Sequence, residues 1–324
     1  MATFACQNPS VSDVKGKRTS SELYSKAYAY NEQQKFDSAY LYFYENTRSS
    51  EDSLEIAYSY DFMSNILFTI NDYFGAIEAA LNGLNYVNEK DSGHHPALLS
   101  IYNDLGRANE KLKDYKSAVE YFEKAIVYNN DSSYRSALLN NTGIAYRNKG
   151  DVSTGLKILE EALSISTDRK NYARTLSNWA ITKWEKDNSF KALPYLHEAL
   201  YIRDSIQYQT GITTSYQHLT EYYLTQQKDS AKIYALRMLE SAGKTRDKVD
   251  EQDALLKLIY LSASNESEQY FERYQHLRDS LETNRMAARN QFAAIRFESE
   301  KSKAINLKLQ NQLIKQKMII YSAI

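Results

Sequence analysis

Cysteine, proline and glycine are scarce in this chain of 324 residues, which contains one cysteine, three prolines and ten glycines. A single cysteine excludes an intramolecular disulfide framework and a multi-cysteine zinc site. Few prolines and glycines leave long segments without helix breakers. The 28 tyrosines supply large side chains for packing. The composition therefore favours a protein built from packed helices.

Net charge is also nearly absent, because 40 basic residues are balanced by 41 acidic ones. A protein that binds nucleic acid or an anionic membrane surface by general electrostatic attraction carries an excess of basic residues. We therefore expect no nucleic-acid partner for this region.

Motifs for catalysis, cofactors and metals are missing as well. The five histidines show no metal-ligand spacing, and the adjacent pair His94 and His95 stands in a loop, where solvated histidines are commoner than ligands. The glycines are dispersed, so they form no phosphate loop, and neither a serine elbow nor an HExxH pattern occurs. The sequence predicts a chain without catalytic residues, cofactor or metal.

What the sequence does contain is a small residue that recurs at long, regular intervals. Ala118, Gly155 and Ala192 lie 37 residues apart, and each is followed by a large apolar residue four positions on and by alanine seven positions on. The full set of these anchors is Ala39, Ala76, Ala118, Gly155, Ala192 and Ala231, at intervals of 37, 42, 37, 37 and 39 residues. Such a period indicates helical hairpins that stack, because one hairpin cannot bury its apolar faces alone.

The unit around Ala118 is the most complete one. It has Leu105 and Gly106 in its first helix, Tyr115 at the turn and Phe122 in its second helix. This pattern resembles the tetratricopeptide repeat (TPR), lengthened here from its usual 34 or so residues. The resemblance implies an all-α, right-handed solenoid of helical hairpins.

The repeats divide the chain into three parts. Residues 19–281 are expected to form the solenoid, with six readable repeats and a degenerate seventh between Asp253 and Leu281. The longest interval contains a loop insertion at Asp91–Pro96, and Pro194 stands where a second helix begins. Residues 282–324 contain neither glycine nor proline and are expected to form one long linker helix.

This linker carries an interrupted heptad seam. Its apolar frame consists of Leu281, Ala288, Phe292, Ile295, Leu309, Leu313 and Ile320. Ser299, Ser302 and Asn306 occupy frame positions between them, which favours a weak or switchable homodimer over a permanent coiled coil. The alternative is a monomeric amphipathic helix whose first half packs back on the last repeat.

Both ends of the chain raise the question of a membrane. A small residue precedes Cys6 within residues 1–18, which is the pattern expected at the end of an export signal. Residues 318–324 are mostly apolar and follow Lys315 and Lys317, but a bilayer-spanning helix needs about 20 residues. We expect them to begin a span that continues past Ile324; the alternative is the apolar end of an amphipathic helix.

The resemblance to TPR proteins also indicates a binding surface, because their concave face is lined by defined positions of each first helix. Carried onto this sequence, those positions give Tyr58, Asp61, Asn65, Phe68, Asn103, Arg107, Glu110, Asn140, Arg147, Arg174, Ser177, Trp184, Tyr216 and Tyr223. The guanidinium groups of Arg107, Arg147 and Arg174 suit the carboxylates and backbone of an extended peptide. The alternative is an ordinary solvated groove. The paired lysines of the TPR carboxylate clamp are missing, so the partners of chaperone adaptors are not implied.

Several segments resemble a narrower family, the exported bacterial TPR proteins in which a C-terminal helix leads through one membrane span to a sensor histidine kinase or a helix-turn-helix regulator. The segments are 21–30, 37–40, 101–106, 138–141, 216–223, 279–280 and 289–301. The resemblance implies a periplasmic sensor, anchored in the inner membrane, whose ligand changes the solenoid and whose helix transmits the change. The alternative is a soluble cytoplasmic or lipid-anchored adaptor, acylated at Cys6, that assembles other proteins.

Overall fold

The computed structural model describes residues 20–129 and 131–322. These residues form fourteen α-helices and one short 3-10 helix, Ser92–His94, and no strand. The α-helices are α1 (Glu22–Glu32), α2 (Phe36–Ser49), α3 (Ser53–Thr69), α4 (Tyr73–Leu84), α5 (His95–Lys111), α6 (Tyr115–Val127), α7 (Ser132–Lys149), α8 (Val152–Ser164), α9 (Arg169–Lys186), α10 (Leu193–Ser205), α11 (Gln209–Leu224), α12 (Lys228–Thr245), α13 (Lys248–Leu261) and α14 (Ser264–Ser322).

Consecutive helices pair into hairpins from α1 and α2 to α11 and α12, and α13 pairs with the start of α14. We call the first helix of each hairpin helix A and the second helix B. Every hairpin also packs against the next one, so a single core runs along the stack. The predicted fold, an all-α right-handed TPR-type solenoid followed by a long helix, is confirmed.

The recurring small residues lie where helix A and helix B of one hairpin approach each other. All six anchors are buried. A Cβ atom added to Gly155 would lie 2.6 Å from the backbone oxygen of Gly143, and one added to Gly106 would lie 2.5 Å from the ring of Phe122. Because no side chain fits at these contacts, the small residues set the distance between the paired helices.

In each of the first four hairpins, the turn between helix A and helix B contains one residue with a left-handed backbone. This residue lies five positions before the small anchor residue of the same hairpin. These residues are Gln34, Asn71, Lys113 and Gly150, with φ values of 57°, 64°, 63° and 99°. In the second, third and fourth hairpins an aspartate follows, and its carboxylate accepts a hydrogen bond from a backbone N–H of the first turn of helix B.

The expected insertion before α5 is present as a loop with the short 3-10 helix, and α5 begins at His95 with Pro96 in its first turn. Pro194 likewise lies in the first turn of α10. Both prolines occupy positions where the missing N–H would have no partner within the helix.

The long helix α14 is continuous over 59 residues, a length of about 90 Å. The boundary expected between residues 281 and 282 therefore falls inside a helix rather than at a break. Near its beginning α14 packs on α13, and further along it packs on α2 of the first repeat. The expected packing of the helix on the last repeat thus holds only for the first turns of α14. The curved solenoid brings the first repeat within reach of the middle of α14, near Phe292.

Both chain ends that the sequence analysis related to a membrane lie outside the described part of the structure: the segment 1–18 with Cys6, and the side chains of residues 315–324. Within residues 20–129 and 131–322, no helix combines the length and the apolar character that a membrane crossing requires.

The close approach at Gly155 can be tested against a glycine on an open helix surface. We expect Gly155→Ala to lower the free energy of unfolding by about 2 kcal/mol, because the new methyl group meets the backbone of α7. Gly243→Ala is the matched control, since a Cβ there meets nothing within 4 Å and should stabilise α12 by about 0.5 kcal/mol. Urea unfolding measures both; equal effects would contradict the proposed contact.

Candidate functional site

The A helices of neighbouring repeats lie side by side along one face of the solenoid, where α3 contacts α5, α5 contacts α7, α7 contacts α9 and α9 contacts α11. Polar side chains connect them. We call these connections the polar ladder; they join Ser100 to Asp61 at 2.7 Å, Asn65 to Asp104, Asn141 to Asn103 at 3.4 Å, Asn178 to Asn140 at 2.8 Å and Arg147 to Glu185 at 2.6 Å. The partners are 38 or 39 residues apart, so the ladder follows the repeat.

At the N-terminal end of the ladder, Arg107 is held from two sides. Its guanidinium lies 3.0 Å from the carboxylate of Asp104 and 4.3 Å from the centre of the Phe68 ring. Burial raises the pKa of Asp104, and the charge of Arg107 opposes that rise. The arrangement brings a cation, a carboxylate and an aromatic face together on adjacent helices.

In the middle of the ladder, Arg174 reaches from α9 to α7. It donates to the side-chain oxygen of Asn141 at 2.6 Å and to the backbone oxygen of Ala137 at 3.2 Å. Burial lowers the pKa of Arg174; the charge of Glu110 counteracts this effect and the charge of Arg107 adds to it. Burial also raises the pKa of Glu110. The structure therefore gathers Arg107, Arg174 and Glu110 into one electrostatically linked group.

At the C-terminal end of the ladder, Arg147 forms a bidentate ion pair with Glu185, in which two guanidinium nitrogens contact the two carboxylate oxygens. His218 lies nearby and is buried; burial and the charges of Arg203, Arg147 and Lys257 lower its pKa to about 3, so it is neutral at pH 7. Burial raises the pKa of Glu221, although the ammonium group of Lys257 lies 3.7 Å away.

Of the aromatic residues expected on this face, Phe68 contacts Arg107 on the ladder, whereas three others pack against neighbouring aromatic rings. Trp184 is 8% exposed and packs against Tyr222, with ring centres 5.3 Å apart. Tyr223 stacks on Tyr234 of α12 at 5.6 Å, and Tyr216 lies 6.3 Å from the same ring. Trp184 belongs to the core of the fifth and sixth hairpins, and Tyr216 and Tyr223 are partly buried against it rather than joined to the ladder.

Tyr58 stands beside the ladder rather than in it. It is partly buried against the aromatic core of the first two repeats. Burial, with the neighbouring charge of Asp61, raises the pKa of its hydroxyl to about 12. Ser177, another expected residue, is buried and accepts a hydrogen bond from Arg203 at 2.9 Å.

Sequence reasoning missed several members of this face. Asn141, Asn178 and Glu185 are ladder partners, and each lies 38 residues after an expected residue, namely Asn103, Asn140 and Arg147, an interval that would have found them. Arg203 had no such signal. It is 1% exposed and donates to hydroxyl oxygens of Ser215 and Ser177, and burial lowers its pKa to about 10.

The adjacent histidines lie where the 3-10 helix meets α5, His94 as the last residue of the former and His95 as the first of the latter, and both have protein partners. The ring nitrogen Nδ1 of His94 accepts a hydrogen bond from the backbone N–H of Asn88 at 3.0 Å, and the ring of His95 lies 5.2 Å from that of Tyr128. Among the described residues, no group of three or more His, Cys, Asp or Glu side chains is arranged to hold a metal ion.

Comparison with known proteins agrees with this architecture. Residues 100–132 match the family model described as tetratricopeptide repeat. No curated protein sequence matches the chain.

Solved structures share the fold at low identity. The apo form of RapI is 15% identical, with a TM-score of 0.63 over 84% of this chain and 98% of its own. A Rap protein complexed with competence and sporulation factor is 12% identical, with a TM-score of 0.60 over 81% and 75%. A STAND protein with a TPR sensor from Pyrococcus horikoshii is 13% identical, with a TM-score of 0.56 over 84% and 44%. The chain therefore has the fold of TPR proteins, which is typical of protein–protein interaction.

Asp250, in the first turn of α13, offers a test of a carboxyl group that is withdrawn from water. Burial and the charges of Asp247 and Asp253 raise its pKa to about 6, while Lys111 of α5 acts in the opposite direction. A carboxyl group with a raised pKa binds more protons in the folded state than in the unfolded state, so stability falls as pH rises from about 4 to 6.

We therefore expect Asp250→Asn to raise the free energy of unfolding at pH 7.5 by on the order of 1 kcal/mol and to have little effect at pH 4. Urea unfolding at both pH values measures the difference. Asp229→Asn on α12 is the control for loss of an exposed carboxylate. A gain that is the same at both pH values would show that Asp250 is not desolvated.

Proposed function

We propose that the chain is the ligand-binding region of a signalling protein and that it recognises an extended peptide or protein segment along the polar ladder. The observation that carries the proposal is the continuity of the ladder from α3 to α9, with further polar side chains on α11. Amide, carboxylate and guanidinium groups alternate there at the spacing of the repeats. An extended backbone offers donors and acceptors that can pair with the ladder members that remain accessible, Arg147 and Glu185, at 18% and 36% side-chain exposure.

The fold supports this reading. One structural neighbour is a Rap protein complexed with competence and sporulation factor, and TPR solenoids use their concave face for binding. Identity of 12% carries the fold alone, so the ligand of this chain is argued from its own side chains. These carry both signs of charge, which favours a segment of mixed charge over a purely acidic one.

The membrane-bound form of the proposal rests on the sequence resemblance to exported TPR sensors. In that form the repeats lie in the periplasm, and α14 leads from them to a span beyond Ile324 and then to a kinase or DNA-binding module. The described part of α14 supports a transmitting role, because one continuous helix joins the last repeat to the distal segment.

The alternative is an adaptor, soluble in the cytoplasm or lipid-anchored through Cys6. It is favoured by the distal part of α14, where Leu309 and Leu313 are 52% and 55% exposed and offer a docking helix. Protease access in intact spheroplasts, with the uninterrupted reading frame expressed, distinguishes the two. Cleavage of the repeats from outside supports the sensor, and cleavage only after lysis supports the adaptor.

Two arginines of α7 provide a matched pair for testing the binding surface. Arg147 pairs with Glu185 on the ladder, and Arg135 pairs with Glu161 on α8. For a peptide selected from a displayed random library, we expect Arg147→Ala to weaken binding about tenfold, the loss of one charge-assisted hydrogen bond. Arg135→Ala should leave the affinity unchanged. Fluorescence anisotropy of the labelled peptide measures both.

Equal affinities for the two variants would place the binding site away from the ladder. Arg107 and Arg174 are less suitable for this test, because they support neighbouring helices and their removal alters the solenoid itself. Each α7 variant loses one exposed ion pair, and such a pair contributes at most about 1 kcal/mol to stability.

A further inference from the structure

The long helix α14 returns to the opposite end of the solenoid. The ring of Phe292 stacks on that of Tyr40 in α2, with centroids 4.5 Å apart, and the two side chains are 2% and 0% exposed. Ala288 and Ile295 pack against the same core cluster of the first two repeats. The first and last repeats are thus joined by a contact between residues about 250 positions apart. We call this contact the docking site.

Polar contacts surround the docking site. The hydroxyl of Tyr44 donates to Glu300 at 2.8 Å, and Arg48 lies 3.4 Å from the same carboxylate oxygen. Arg289 lies 3.8 Å from the carboxylate of Asp72. These contacts fix the register of α14 on α2, because each joins one particular side chain of the helix to one of the repeats.

The docking site is small. Among the described side chains of α14, Phe292 alone is buried. Each of the two ion pairs at its edge has an exposed partner, Glu300 or Arg289, and such pairs add little to stability. The contact therefore consists of one buried ring, the partly buried side chains of Ala288 and Ile295 and a few polar contacts, an area small enough to be exchanged for another partner.

The residues that dock are also the proximal half of the heptad seam. Ala288, Phe292 and Ile295 occupy core positions of a heptad, and the same frame continues to Leu309 and Leu313. The distal two are 52% and 55% exposed. The docked helix therefore covers half of its seam with its own repeats and leaves the other half open.

The charged residues beside the seam indicate which partner can bind its exposed distal half. In a parallel, in-register pair of such helices, Glu298 of one chain faces Lys303 of the other, which is favourable. One edge of the seam is cationic, since it carries Arg289, Arg296 and Lys303. In an antiparallel pair this edge would face the same edge of the partner, which is unfavourable. The pattern therefore selects a second copy of this chain in parallel orientation.

Such a pair needs the whole seam. Beyond Ile295, the frame positions Ser299, Ser302 and Asn306 are polar, so Leu309 and Leu313 make a weak interface by themselves. A stable parallel pair must also use Phe292 and Ile295, and these are covered at the docking site.

We propose that the seam of α14 has two mutually exclusive partners, the first two repeats of its own chain and α14 of a second chain, so that undocking is the step that allows two chains to associate. This extends the transmitting role proposed for α14 and is independent of what the polar ladder binds. The docked chain is the monomeric state, and the undocked chain is the one that pairs.

The proposal can be tested by changing the two partners separately. Tyr44→Phe combined with Arg48→Glu removes both contacts to Glu300 and adds repulsion, but leaves the seam intact. We expect this double variant to lower the dimer dissociation constant about fivefold in sedimentation equilibrium, because it weakens docking alone. Adding Glu300→Arg should restore the wild-type value, since Glu300 lies outside the heptad core positions. Arg135→Glu, on α7, is the control for charge reversal.

The seam itself is tested by Phe292→Asp, which should abolish pairing although it also undocks the helix. Ile295→Asp provides a second variant of the same kind, and circular dichroism checks that both remain folded. A pair of spin labels at Glu78→Cys and Asn290→Cys, in a Cys6→Ser background, reports docking directly. One short distance is expected for the wild type and a longer, broader distribution for the double variant.

Three results would overturn the proposal. The first is an absence of the short label distance in the monomeric wild-type chain. The second is an undocked double variant that pairs no more tightly than the wild type. The third is a Phe292→Asp variant that still pairs. None of these measurements uses a ligand, so their failure is distinct from a failure of the proposed peptide site.

Discussion

The structure depends on the close approach of the two helices within each hairpin. At Gly143 and Gly155 the backbones nearly touch, and at Gly106 the ring of Phe122 fills the space that a side chain would need. A hairpin of this kind has no core of its own, so its apolar outer faces remain available to the next one. The distance between helix A and helix B therefore determines how every repeat stacks on its neighbour.

The polar ladder adds a second constraint, because it ties each helix A to the next by groups that are largely withdrawn from water. A buried amide or carboxylate needs its partner at hydrogen-bond distance, so the angle between neighbouring repeats has little freedom. Asp61, Asn103 and Asn140 are all at most 3% exposed, and each has its partner on a neighbouring repeat. The curvature of the solenoid follows from these local contacts, and it brings Asp250 of α13 within electrostatic reach of Lys111.

Sequence reasoning predicted what one hairpin contains and failed where several hairpins act together. The anchors and the insertion before α5 depend on neighbouring residues, so local patterns sufficed. The concave-face assignment stays a prediction, and Tyr223 illustrates its limit of reach: positions defined for a shorter repeat place it on that face, while its ring stacks on Tyr234 of a helix B. The contact of Phe292 with Tyr40 had no local signal, since it depends on the summed rotation of all the intervening repeats.

The summed rotation of the repeats gives a physical link between the proposed ligand site on the polar ladder and the proposed undocking of α14. A ligand that replaced one ladder contact would change the angle between two neighbouring repeats by a small amount. The repeats beyond that point act as a lever arm, so the displacement is largest where the ends of the solenoid meet. There the helix is held by the buried ring of Phe292, by the partly buried Ala288 and Ile295 and by a few ion pairs, and packed contacts of this kind separate rather than stretch. A small change on the concave face is therefore most easily expressed as loss of the contact between Phe292 and Tyr40.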